Sequence, residues 1–143
     1  MVLETTNINN IDKQAIADLV GSQYSFFKKL KLKGAGSQWM QIQKISPSFK
    51  SCFDPVYDMD QGKIELRPNG VVVRITSGPK KYTWAIPFYQ LVIYKTKSIT
   101  IHAQGRFIQF GNEETFKENK SFFGKLLSLK AKHATSYSPF NNI

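Results

Sequence analysis

The sequence predicts an α+β fold: a mostly antiparallel sheet with an amphipathic helix after it and an extra helix before it. Three observations predict it. Between Trp39 and Phe110, short runs of alternating apolar and polar residues are separated by turn signals. Helical spacing frames this region, near residues 10–27 and again over 116–133. Asp and Glu are absent from Leu66 to Asn112, where Arg67, Arg74, Lys80, Lys81, Lys95, Lys97 and Arg106 all fall, so the β-region is basic.

Taken in order, residues 1–9 read as a polar, frayed lead-in. Asn10 is the candidate N-cap of the first helix, with Asp12 in its first turn. Ile11, Ala15, Ile16, Leu19, Val20 and Phe27 recur at helical intervals, and Gly21 weakens the second half. Lys29-Leu30-Lys31-Leu32-Lys33 alternates strictly, as a strand or an extended linker would, and Gly34-Ala35-Gly36-Ser37 reads as a flexible turn. Residues 39–45 form the first predicted strand, broken by Ser46-Pro47-Ser48. The stretch from 46 to 62 resists assignment, being aromatic and irregular, with turn signals at Asp54-Pro55 and Gln61-Gly62. Residues 63–67 and 71–75 pair across Pro68-Asn69-Gly70, since Asn-Gly between two such runs is a hairpin signal. Ser77-Gly78-Pro79 turns the chain again. Tyr82, Trp84 and Ile86 then share one face of a strand that Pro87 ends. Val92-Ile93-Tyr94 precedes a turn near Lys95-Thr96-Lys97, and residues 98–102 and 106–110 pair across Gln104-Gly105. Phe116, Phe123, Leu126, Leu127 and Lys130 mark the last helix, over 116–133, whose outer face carries Lys117, Lys120, Lys125 and Lys132. These assignments divide the chain into residues 1–38 (N-terminal helix and basic linker), 39–134 (β-domain with its helix) and 135–143 (a loose tail).

A chain of 143 residues is about one domain, long enough to bury a core without staples. Its 41% hydrophobic and 13% aromatic content places it among folded chains rather than disordered ones. Cys52 is the only cysteine, which excludes an intrachain disulfide; a thiol beside Phe53 reads as a small buried hydrophobe. The first ten residues have neither a basic nor an apolar signal region, and no run approaches a membrane span, so a soluble cytoplasmic protein is expected. The net charge of +10 favours anionic partners, though a lysine-rich solvated exterior produces the same number.

Short antiparallel strands closed by one C-terminal amphipathic helix resemble the pleckstrin-homology-like (PH-like) superfold, in its bacterial branch. The stretch Trp84-Ala85-Ile86-Pro87-Phe88-Tyr89-Gln90-Leu91 looks like that family's segment of strand, Ile-Pro-aromatic, one turn and aliphatic residue. Arg106-Phe107-Ile108-Gln109-Phe110 followed by a helix continues the likeness, which covers roughly residues 39–133. The resemblance implies an antiparallel, partly open barrel plugged by its last helix, on a scaffold that hosts lipid, peptide and structural roles. It also implies that basic residues near one barrel mouth bind phosphorylated head groups. The helix near residues 10–27 is not part of that pattern.

Catalytic and metal chemistry finds little support. Asp58 and Asp60 with Gly62 have the look of a calcium loop, but the twelfth position from Asp58 is Asn69, so the spacing fails and a solvated turn is the simpler reading. His102 and His133 stand alone in their segments, without metal-ligand spacing. No motif frames a nucleophile, and Gly34-Ala35-Gly36-Ser37 lacks the Gly-Lys of a phosphate loop. Glu113 and Glu114 suit a helix N-terminus better than a general acid/base pair. The basic segments carry more weight. Residues 19–53 contain no acid, and the candidate anion-binding set is Lys28, Lys29, Lys31, Lys33, Lys44, Lys80 and Lys81. Lysines interleaved with Trp39, Tyr82, Trp84, Tyr89 and Tyr94 also suit single-stranded nucleic acid. Against this, Tyr82 and Trp84 alternate as core residues do, and Lys outnumbers Arg by 17 to 3, whereas base-reading sites favour Arg. The expected function is a non-enzymatic binding or scaffold module without a cofactor, contacting a protein partner or an anionic membrane surface. The alternative is a small basic nucleic-acid-binding protein.

Overall fold

Among the described residues, eight strands form one antiparallel sheet that does not close. The computed structural model describes residues 1–31, 34–49, 60–111 and 113–136. The elements are β1 (Val2–Glu4), α1 (Asn10–Val20), α2 (Phe26–Lys31), β2 (Met40–Ile45), β3 (Gln61–Arg67), β4 (Gly70–Ser77), β5 (Lys80–Pro87), β6 (Val92–Lys95), β7 (Ile99–Ala103), β8 (Arg106–Phe110), α3 (Glu113–Glu118) and α4 (Lys120–Ser136). The expected α+β class is what the structure shows, with four α-helices among the described residues. Cys52, Asp58 and the chain beyond 136 lie outside the described residues.

The strand order is β1-β5-β4-β3-β2-β8-β7-β6, so two antiparallel groups, β2–β5 and β6–β8, are joined where β2 crosses between them. Its first residues pair with β3 and its later ones with β8, across a register shift between Ile42 and Lys44. The turn residues explain the hairpins. Gln104 and Gly105 both have positive φ, at 57° and 74°, as a two-residue turn matching the strand twist requires. The β3–β4 turn differs from the sequence expectation. It consists of Pro68 and Asn69 alone, because Arg67 pairs with Gly70. Gly70 is already strand, and it must lack a side chain there: a Cβ would stand 2.2 Å from the Ile86 carbonyl oxygen and 2.8 Å from Val20 Cγ1.

Alternation sorts the sheet into two faces, and both are covered. Ile64, Leu66, Val71, Val73, Ile75, Tyr82, Trp84 and Ile86 point inward, to a core shared with Ile101, Ile108 and Phe110 of the second meander. Val72 and Ala85 point the other way, into a smaller cluster with Ile16 and Val20 of α1. Burial on both sides accounts for the unbroken Val71-Val72-Val73 run.

The C-terminal helix was expected to be continuous over 116–133. It is instead interrupted at Asn119, whose Nδ2 donates to the Thr115 carbonyl while its Oδ1 accepts from the Gln38 N–H, each at 2.9 Å. Phe122, Phe123 and Leu126 enter the core, and Leu127, expected to face the sheet, is 52% exposed. Leu126→Ala is therefore expected to cost about 2–5 kcal/mol in chemical denaturation, and Leu127→Ala less than about 0.5 kcal/mol. Equal costs would mean that α4 is rotated.

The N-terminal region departs furthest from expectation. Residues 2–4 are not a frayed lead-in but a strand on β5, in register Val2↔Trp84, Leu3↔Thr83 and Glu4↔Tyr82. Thr5 Oγ1 and Thr83 Oγ1 share a buried hydrogen bond of 2.7 Å. The N-cap of α1 is Asn9 rather than Asn10, with Oδ1 accepting from the Asp12 N–H at 2.8 Å. The first helix does not run through to Phe27: Val20 is its last residue. The lysine alternation does not make a strand over 29–31, which are helical, and Leu32 and Lys33 lie outside the described residues. Nor is Gly34–Ser37 a loose turn. Leu66 N–H donates to the Ala35 carbonyl and Ser37 N–H to the Ile64 carbonyl, pinning the segment along β3.

Candidate functional site

The lysines singled out in the sequence fall into separate groups. Lys28, Lys29 and Lys31 share α2, and Lys33 lies outside the described residues. Lys44 is exposed on β2, and Lys80 and Lys81 begin β5 at its turn with β4. The chain following α2 pairs with β3 at Glu65, which is opposite Val72. The β4–β5 turn begins five residues farther on, after Ser77, roughly 17 Å along the strand at about 3.4 Å per residue. The α2 lysines and the Lys80–Lys81 turn thus belong to different elements of the fold.

Around α2 the structure gathers residues that the sequence did not connect. Phe27 is 80% exposed and Leu30 61% exposed, three positions apart and so on neighbouring parts of the helix surface. Lys28 and Lys31 are exposed beside them. Ser25 starts the helix, its Oγ accepting from the Lys28 N–H at 3.3 Å. Lys29 and Lys63 line a shallow hollow of about 250 Å³ with Gly36, Ser37 and Glu65. Lys63 Nζ stands 5.0 Å from the Trp39 ring centroid, and Trp39 is itself exposed. Lys125 of α4 reaches the Gly34 carbonyl at 3.5 Å. The surface reached from α2 is therefore cationic with large apolar side chains set into it.

The second arrangement lies on the outer face of β3 and β4. Glu65, opposite Val72, has Arg67 two residues along its own strand and Arg74 two residues beyond its partner. Side chains so placed share one face and reach each other. Arg67 Nε donates to Glu65 Oε1 at 3.0 Å, and Arg74 Nε to Glu65 Oε2 at 3.1 Å. Arg67 Nη1 also donates to the Gly21 carbonyl at 3.0 Å, tying the end of α1 to β3. Burial pushes the Glu65 carboxyl up. The charges of Arg74 and Arg67 and their hydrogen bonds outweigh it, holding the carboxyl below its ordinary range. Burial lowers Arg67 from its usual value and the Glu65 charge offsets part of this, so the guanidinium stays charged. This cluster borders a cleft of about 540 Å³ between α1 and the sheet. Sequence reading missed it, although Glu65, Arg67 and Arg74 flank a predicted hairpin and a fixed register would have put them on one face.

Among the described residues no group of three His, Cys, Asp or Glu is placed to hold a metal ion. His102 lies between Tyr94 and Phe107, with ring centroids at 5.1 and 5.2 Å, and His133 stands 5.3 Å from Phe88. Glu114 is exposed in the first turn of α3. No helix among the described residues is long and apolar enough to cross a membrane. Comparison with protein-family models, curated proteins and solved structures gives no match for this chain.

Proposed function

We propose that this chain is a non-enzymatic PH-like module that docks on an anionic membrane surface through α2. The observation that carries the proposal is the exposure of Phe27 and Leu30 on a six-residue helix that also bears Lys28, Lys29 and Lys31. A large apolar side chain in water gains free energy by entering the acyl boundary, and lysines beside it are drawn to anionic head groups. The acid-free stretch 19–53 supplies no carboxylate of its own, Glu65 beside Lys29 is already paired with Arg67 and Arg74, and the overall charge of +10 has the matching sign. Two antiparallel meanders whose shared core receives Phe122, Phe123 and Leu126 of the last helix support the PH-like reading. So does the Ile86-Pro87-Phe88 passage, where the strand ends, one helical turn follows and Leu91 is buried.

Sedimentation with vesicles of phosphatidylcholine containing phosphatidylserine tests the docking. The protein is expected to bind at low salt and to be released as salt rises. Lys28→Glu with Lys31→Glu should weaken partitioning by at least about tenfold, since each lysine near such a surface is worth about 1 kcal/mol. Phe27→Ser with Leu30→Ser should weaken it without changing the salt dependence. Absence of vesicle binding at low salt overturns the proposal. Binding to a single-stranded oligonucleotide instead of vesicles would put the nucleic-acid reading, with Lys63 and Trp39 as its charge and stacking pair, in its place.

A further inference from the structure

We propose that the cleft between α1 and the outer face of β3–β4 binds a small phosphorylated molecule, with Arg74, Arg67 and Lys13 holding the phosphate. This site is distinct from α2 and does not depend on the membrane reading. Its volume of about 540 Å³ lies within the range of small-ligand pockets. Its walls divide by chemistry. Ile8, Ile16 and Ala17 give an apolar side, while Asn10, Gln14, Ser22 and Gln23 give amide and hydroxyl groups suited to sugar hydroxyls or base edges.

The charge balance points to an anion. Glu65 uses one carboxylate oxygen on each of two guanidinium groups, leaving the trio with a charge of +1, and Lys13 on the cleft wall brings it to +2. The other carboxylates near the cleft are on α1. Asp18 accepts from Gln14 Nε2 at 2.7 Å, and Asp12 sits in the first turn, but neither lines the cavity. The Nε of each arginine is committed to Glu65, which fixes how the planar groups lie. Arg67 donates one further hydrogen bond, to Gly21. Among the described residues the terminal N–H groups of Arg74, and those on Nη2 of Arg67, make no hydrogen bond. Arg67 is only 5% exposed. Donors held rigidly in a partly dehydrated cleft, with surplus positive charge, match a phosphate with several acceptor oxygens. Lysines on an open strand do not offer that fixed geometry.

Binding of inorganic phosphate, glucose 6-phosphate and adenosine monophosphate, followed by calorimetry and by amide chemical shifts, tests the site. At least one organic phosphate is expected to bind more tightly than inorganic phosphate, shifting the amides of Lys13, Gln14, Ser22 and Gln23. Arg74→Gln, at the better-exposed arginine, should weaken binding about tenfold or more, as loss of a charge-assisted contact does. Lys13→Gln, on the surface of α1, should weaken it without touching the Arg–Glu cluster, so a folding defect in the first variant does not blunt the test. Lys80→Gln removes the same charge at the β4–β5 turn, outside the cleft lining, and should leave affinity nearly unchanged. Arg74→Gln should also leave vesicle binding intact, which separates a soluble phosphate ligand from a lipid head group. No binding, shifts confined to other residues, or equal weakening by Lys80→Gln would each overturn the proposal. Loss of vesicle binding in Arg74→Gln would overturn the soluble-ligand assignment.

Discussion

Trp84→Ala is expected to lower the unfolding free energy by about 3–5 kcal/mol, the range for truncating a large buried aromatic residue. Trp84 is fully buried in β5, and its ring meets Phe49 edge-on with centroids 5.0 Å apart. Phe49 approaches from the short helical turn Pro47–Phe49 after β2, so this contact joins the start of the first meander to its last strand. The indole N–H donates to Gln104 Oε1 at 3.1 Å, which brings in the β7–β8 turn. One side chain thus ties three parts of the sheet, and its removal leaves a void that they cannot close together. Urea unfolding of both proteins measures the difference. A loss below about 1 kcal/mol, the centre of the distribution for arbitrary substitutions, would show that the core does not converge on Trp84. Trp84→Phe, keeping an aromatic ring while losing the indole N–H, should retain more of the stability than alanine does.

Glu65→Gln is expected to cost about 3–5 kcal/mol, because it leaves Arg67 charged, buried and without its counter-ion. Glu65 and Arg67 side chains are 15% and 7% exposed, so water cannot replace the lost partner. The pH dependence gives a second readout. The Glu65 carboxyl is held below its ordinary value in the folded protein, so its contribution is fully present above the unfolded value of about 4.3. That contribution is lost as pH falls through the lower folded value. The stability gap between wild type and Glu65→Gln should therefore be constant near neutrality and shrink below about pH 4. A gap independent of pH would mean that the glutamate acts through shape and not charge. Glu65→Leu combined with Arg67→Met should recover much of the loss, since an apolar pair asks for no counter-ion.

Most of the β-structure was legible because alternation and turn chemistry act locally. Gly78-Pro79 and Gln104-Gly105 mark their turns wherever they occur, and the strands on either side need only pair with each other. What was illegible depends on distant partners. Val2-Leu3-Glu4 carries too short a pattern to read as a strand, and becomes one because β5 offers it an edge eighty residues away. The lysine alternation at 29–33 has strand period, but residues 29–31 are helical and the chain meets β3 only at Gly36. Asn119 interrupts the last helix and accepts a hydrogen bond from Gln38, a residue no local window contains, and helical spacing alone does not choose between the neighbours Leu126, which is buried, and Leu127, which is not. The Glu65–Arg67–Arg74 cluster turned on a single residue of register. Reading the turn as Pro68–Gly70 instead of Pro68–Asn69 leaves the pairing of β3 with β4 undefined, and a slip of one residue reverses every side chain. The α2 lysines are legible as charge, but the exposure of Phe27 and Leu30, on which the functional reading rests, is not, because Phe27 fits the helical spacing of residues 11–27 and Leu30 the lysine alternation.

The open sheet ends on both sides in a strand with one neighbour, β1 and β6. Such ends offer unsatisfied main-chain donors and acceptors to any other extended chain, and are the usual starting points of fibrillar aggregation. Here the exposure is brief: β1 has three residues and β6 four. β6 is preceded by the Pro87-Phe88 passage, which cannot extend a ladder, and it ends at Lys95, whose ammonium group rests 4.2 Å from the Phe116 ring centroid. Lys97 follows at once. A second copy adding itself along this margin would find a handful of main-chain partners and then a pair of positive charges like its own. The same lysines that enlarge the basic excess thus guard the β6 margin against templating a polymer, while β1 is guarded by its brevity.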